Sequence, residues 1–161
     1  MVTLEFLKAH SLFGGIRDRE LKKVRFLMRE ENFSKGEFII HEGDVGDRLF
    51  FIVKGSVEIL KEVSTAKGEK LERIAVLGDG DMFGEMELID IQPRAANVKA
   101  LEDTTALTLS NRDLHQIEKW NLKTFTIILM NLAREISRRL RRMDALMASA
   151  LFASKTNTKK S

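Results

Sequence analysis

The sequence predicts a mainly β chain with flanking helices: a closed or rolled antiparallel sheet, a helical piece before it, and one long helix after it. Three observations carry this. Between residues 32 and 110 the apolar residues come in short runs cut by glycines, the pattern of short strands joined by turns. From residue 122 the apolar residues switch to a helical period. Hydrophobic residues make up 43% of the 161, too many for a disordered chain and enough for one core.

The elements follow in order. Residues 4–10 and 17–28 read as two short helical stretches. Strands are expected at 38–40, 49–53, 57–60, 74–77, 98–100 and 107–109. Gly36, Gly43, Gly46, Gly55, Gly78 and Gly80 fall between them, where turns call for positive φ. Val57 and Ile59 alternate with polar neighbours, whereas residues 49–53 are apolar throughout, which places that strand at the centre. The polar segment 64–70 reads as an exposed hairpin loop. Ser110 is a good N-cap with Asp113 three residues on, the spacing of a capping box, for a short helix ending near Lys119. From Leu122, the residues Phe125, Leu129, Leu132, Ile136, Leu140, Met143 and Met147 step by 4, 3, 4, 4, 3 and 4, one face of a 3.6-residue period. The expected division is 1–121 for the sheet and its first helices, 122–151 for the long helix and 152–161 for a polar, fraying tail. Part of the apolar stripe can pack on the sheet. The remainder calls for a second copy, so a homodimer through this helix is expected.

Charge is unevenly spread. Residues 1–121 hold 18 basic and 22 acidic side chains, while 122–151 hold six and two, so the overall +3 comes from the C-terminal part. Cysteine is absent, which leaves no disulfide framework or thiolate metal site and is compatible with the cytoplasm. No apolar run reaches the length of a membrane span, and the N-terminus lacks a signal peptide's pattern. His10, His41 and His115 are scattered without metal-ligand spacing. No nucleophile–base constellation is visible, so an enzyme is not expected. The run Arg138, Arg139, Arg141 and Arg142 reads first as a solvated helix face. No helix-turn-helix pattern follows it, so no DNA-reading module is expected. Trp120 reads as a packing residue.

The most informative stretch runs from Phe83 to Val98. Gly84 lets a backbone come close to a ligand. Met86 and Glu87 begin a single helical turn whose N–H groups form an anion site. Arg94 can grip a phosphate with two parallel hydrogen bonds. Glu85 is acceptor-only, which suits a hydroxyl donor. Together these suit a ribose-phosphate.

This stretch resembles the phosphate-binding cassette of the cyclic nucleotide-binding domain family, whose pattern is Phe-Gly-Glu-Leu-Ala-Leu, a short spacer, then Pro-Arg-Ala-Ala-Thr-Val. Here it reads FGEMEL, IDIQ, PRAANV, without insertion or deletion against the kinase-regulatory form. The resemblance extends over most of residues 4–150. It implies an antiparallel β-roll of the jelly-roll or double-stranded β-helix type, with eight strands and a C-terminal helix that forms the dimer seam in bacterial receptor members. It also implies that Glu85 takes the ribose 2′-OH, that Arg94 pairs with the cyclic phosphate, and that N–H groups near Glu87 and Ala95 complete the cradle. Ala95 lacks the hydroxyl common in cyclic GMP-preferring relatives, so cyclic AMP is the favoured ligand and cyclic GMP the other candidate. Met143 and Asp144 align with base-capping positions of the receptor-type members; Met143 equally suits seam packing, and Asp144 could favour either base. Arg139 falls near the seam, within reach of ligand or partner.

Two functions follow from these residues, beside a nucleic-acid or membrane-surface contact through the arginine run. One is a dimeric, non-enzymatic cyclic nucleotide sensor that passes its signal to an unknown downstream protein. The other is a degenerate domain that binds no ligand and serves as a structural or interaction subunit. Glu87 divides them. The family pattern has a small residue there, and a carboxylate either points to solvent or fills the anion site.

Overall fold

A computed structural model describes residues 3–65, 68–90 and 92–158, with the side chains of Glu87, Leu151 and residues 153–158 outside that description. Helix α1 (Leu4–Ala9), a 3₁₀ turn (Ser11–Phe13) and α2 (Asp18–Leu27) precede eight strands: β1 (Arg29–Phe33), β2 (Phe38–Ile40), β3 (Arg48–Lys54), β4 (Val57–Thr65), β5 (Gly68–Leu77), β6 (Met82–Phe83), β7 (Asn97–Ala100) and β8 (Thr104–Ser110). One-turn helix α3 (Met86–Ile89) interrupts them after β6, and α4 (Asn111–Trp120) and α5 (Leu122–Thr158) close the chain. The strands form two antiparallel four-stranded sheets, ordered β1-β8-β3-β6 and β2-β7-β4-β5. The mainly β architecture with flanking helices and a long C-terminal helix is therefore the one expected.

Strand β3 explains the roll. Phe50 and Ile52 point inward to a core with Ile40, Val57, Phe83, Val98 and Ala106. Leu49 and Phe51 point to the opposite face, against Leu7, Phe13, Leu21, Ile117, Ile128 and Leu132 of the helices. Both faces of this strand are buried, which is why its sequence is apolar throughout instead of alternating. Ser110 and Asp113 form the reciprocal capping box that starts α4.

Several boundaries differ from the expectation. Strand β1 carries REENF, an edge sequence with too little apolar content to signal a strand, and it forms by pairing with β8. Strand β6 is two residues long and ends on Phe83, the first residue of FGEMEL. The expected loop 64–70 is largely strand: β4 runs to Thr65 and β5 begins at Gly68, while residues 66 and 67 lie outside the described residues. Gly46 and Gly78 do not have positive φ, whereas Gly36, Gly43, Gly55 and Gly80 do. Helix α5 continues through Thr158 instead of ending near 151, since no proline or glycine stops it. Its stripe is split. Leu132 is fully buried, Phe125, Leu129 and Ile136 are half-buried, and Leu140, Met143 and Met147 are exposed; Ile128, not Leu129, is the fully buried residue one turn before Leu132. Among the described residues, no helix is long and apolar enough to cross a membrane.

Candidate functional site

The site is built where the β2–β3 loop, the β6–α3 junction and the segment before β7 meet. The loop runs antiparallel to the segment around Arg94. The Arg94 N–H donates to the Asp44 carbonyl at 2.8 Å, the Arg94 carbonyl accepts from the Gly43 N–H at 2.9 Å, and Val45 bridges to Pro93. This short ladder fixes the backbone from which the Arg94 side chain departs.

Arg94 turns inward and is only 7% exposed. Its Nη2 donates to the Arg48 carbonyl at 3.0 Å and Nη1 to the Gly84 carbonyl at a longer 3.3 Å. The guanidinium lies 6.0 Å from the centroid of Phe50, which stacks on Phe83. Two glycines make its room. A Cβ on Gly84, whose φ is 75°, would stand 2.7 Å from Nη1, and a Cβ on Gly46 would stand 2.1 Å from Nε. At Gly84 conformation and space both demand glycine. At Gly46 only space does, so its role here is steric. An open cavity of about 300 Å³ lies against Arg94, with Ile39, His41, Asp44, Gly46 and Phe50 among its walls.

Glu85 opens α3 and is 3% exposed. Its Oε1 lies 2.5 Å from Nη1 of Arg139, which reaches down from α5; the same guanidinium donates through Nη2 to the Met82 carbonyl at 2.9 Å. A carboxylate buried this far is costly unless paired and hydrogen-bonded, and Arg139 supplies both. The long helix is thereby tied to the carboxylate expected to receive ribose.

The expected site residues are partly gathered. Gly84, Glu85, Met86 and the backbone of Glu87 follow one another at the β6–α3 junction, and Gly84 and Arg94 are joined by a hydrogen bond. Ala95 adjoins Arg94 and is exposed. Met143 and Asp144 lie exposed on α5, one turn beyond Arg139. The question posed by Glu87 concerns a side chain outside the described residues. Gly46 was legible only as a turn glycine, because nothing in the loop sequence says that Arg94 passes over it. Arg139 carried a faint signal, its position near the seam.

Residues 30–119 match the family model described as cyclic nucleotide-binding domain. Among curated relatives, the chain is 30% identical over 138 residues to the cyclic AMP receptor protein of Thermus thermophilus, covering 86% of this chain and 61% of that protein. It is 32% identical over 108 residues to human cGMP-dependent protein kinase 2, covering 67% of this chain and 14% of the kinase. Among solved structures, a cyclic nucleotide-binding domain from Methylobacillus flagellatus superposes with a TM-score of 0.77 at 30% identity, covering 86% of this chain and 76% of that one. The chain thus spans less than two thirds of the length of either curated relative.

Proposed function

The chain belongs to the cyclic nucleotide-binding domain family, and on that premise we propose that it is a cytoplasmic, non-enzymatic sensor of cyclic AMP that works as a homodimer. The carrying observation is the pair of buried side chains of opposite charge, Arg94 and Glu85, set at the two ends of one short cradle. Burying either costs several kcal/mol without partners, and here both are held in place instead of reaching for water.

Arg94 would exchange carbonyl partners for the cyclic phosphate, a stronger acceptor because it is charged. Glu85 would accept the ribose 2′-OH, and the N–H groups at the start of α3 and at Ala95 would complete the phosphate contact. Ala95 offers no hydroxyl to a guanine amino group, which favours adenine. Arg139 already shares Glu85, so a ligand at Glu85 bears directly on α5. Ligand that binds one placement of α5 better than another shifts the population toward it. The exposed apolar residues of the distal helix supply the face for a second copy, and the downstream partner would read that helix.

A specific observation favours the second reading, a domain that binds no nucleotide: Arg94 and Glu85 both have partners within the protein. Titration calorimetry on nucleotide-stripped protein separates the two. Cyclic AMP should bind more tightly than cyclic GMP. Absence of heat with either nucleotide at millimolar concentration would sink the sensor reading and leave a structural or interaction subunit.

A further inference from the structure

Outside the cassette, Lys61 on β4 reaches the cradle. Its Nζ donates to the Ala95 carbonyl at 2.7 Å and pairs with the Glu42 carboxylate. The other oxygen of that carboxylate accepts from the Glu62 N–H at 3.2 Å, and the Glu42 N–H donates to Oδ1 of Asn97 at 3.1 Å. Residue 42 is thus tied to β4 and β7 at once, and the next residue, Gly43, is the one that holds the Arg94 carbonyl at 2.9 Å.

Two consecutive peptide planes are pinned through their carbonyls, Arg94–Ala95 by Gly43 and Ala95–Ala96 by Lys61. A trans peptide is planar, so fixing a carbonyl fixes the direction of the N–H across the same bond. The N–H groups so aimed are those of Ala95 and Ala96, the two residues that follow Arg94.

We infer that Lys61 and Glu42 form a brace that orients the cradle backbone at Ala95 and Ala96, which makes Lys61 a positioning residue for the cyclic phosphate. This rests on the nucleotide-binding reading above. The Lys61 ammonium and the Glu62 N–H hold the Glu42 carboxyl below the usual carboxylate range, so Glu42 is a carboxylate at neutral pH. Nothing in the FGEMEL or PRAANV pattern asks for a lysine on β4; the fold brings it there.

A brace and a simple attractive charge differ in sign. Lys61→Met removes a positive charge and Glu42→Gln a negative one, yet each breaks the same ion pair. If the pair positions the backbone, both variants bind cyclic AMP about three- to tenfold more weakly. If Lys61 acts only as a charge, Lys61→Met weakens binding and Glu42→Gln strengthens it. Hydrogen exchange at the Ala95 and Ala96 amides of ligand-free protein gives a second readout, expected to quicken in both variants. Tighter binding by Glu42→Gln, or unchanged exchange in both variants, would overturn the inference. Wild-type protein that binds neither cyclic AMP nor cyclic GMP, while exchange still responds, would overturn the nucleotide reading and the positioning role with it, leaving the brace itself intact.

Discussion

The two halves of α5 are one continuous helix with opposite surroundings. In the first half Thr124, Ile128, Asn131 and Leu132 are buried. Nδ2 of Asn131 donates to the Leu12 and Gly14 carbonyls at 2.9 Å each, sewing α5 to the end of the 3₁₀ turn. Beyond Leu140 every residue to Ala150 is exposed, including Met143, Leu146 and Met147. Arg139 sits at the border and holds Glu85. A helix anchored at one end, apolar and uncovered at the other, and held between them by Glu85, the proposed ribose acceptor, would on the proposed reading carry a local event along its length.

The largest break in that comparison should come from its anchored half. Leu132→Ala removes a fully buried side chain and should cost about 2–5 kcal/mol, while Met147→Ala should change the stability of the isolated subunit by no more than about 0.5 kcal/mol. Denaturant unfolding at low protein concentration compares them, and equal costs would erase the distinction. For the distal half, sedimentation of wild type should give a particle near twice the 18.4 kDa chain. Met147→Glu should give a folded monomer, because like charges brought together across an interface cost several kcal/mol. A wild-type monomer at high micromolar concentration would remove the dimer and leave the exposed face without that role.

The site between the halves should respond next. Cyclic AMP at ~100 times Kd should stabilise the protein by about 2.7 kcal/mol. Arg94→Ala should lose that gain, with affinity at least about tenfold weaker, since a hydrogen bond to a charged group contributes about 1.5–3 kcal/mol. A thermal shift equal to that of wild type would contradict the role given to Arg94. Arg139→Gln sharpens the comparison differently. It should cost about 1–2 kcal/mol through the partner lost to Glu85, and it should abolish any nucleotide-dependent change in hydrogen exchange along distal α5. A response of distal α5 that persists in this variant would show that coupling takes another path.

The smallest effect concerns the anchor's pH dependence. His10 stands edge-on to Phe51 with ring centroids 5.0 Å apart, and its Nδ1 accepts from the Leu12 N–H at 3.1 Å. Burial pushes its pKa below 6.5, and the nearby Glu135 and Asp81 offset this only in part. The folded state therefore prefers neutral His10. Its contribution is fully present above the unfolded value and is lost as pH falls through the folded one. Stability of wild type should decline below about pH 6.5, with a shallower decline in His10→Asn. Identical slopes would discount this histidine.

Much of this was written along the chain. The apolar runs and glycines between residues 32 and 110 sufficed for the rolled sheet, because strand and turn preferences are local. Ser110 and Asp113 announced the start of α4 for the same reason. Gly84, Glu85 and Arg94 could be singled out as candidates because the residues proposed to form the phosphate cradle lie in one short segment. The charged strand β1 was not, since its pairing with β8 comes from the far end of the domain.

What only the tertiary structure decided are the meetings of distant residues. Gly46 yields space to Arg94, Arg139 reaches Glu85 across 54 positions, and Lys61 holds the Ala95 carbonyl across 34. Likewise the helical period fixed which residues of α5 share a face, but the finite width of the roll determined where along the helix that face stops being covered. Local chemistry sets what a residue can do; the packing of separate elements determines which group it does it to.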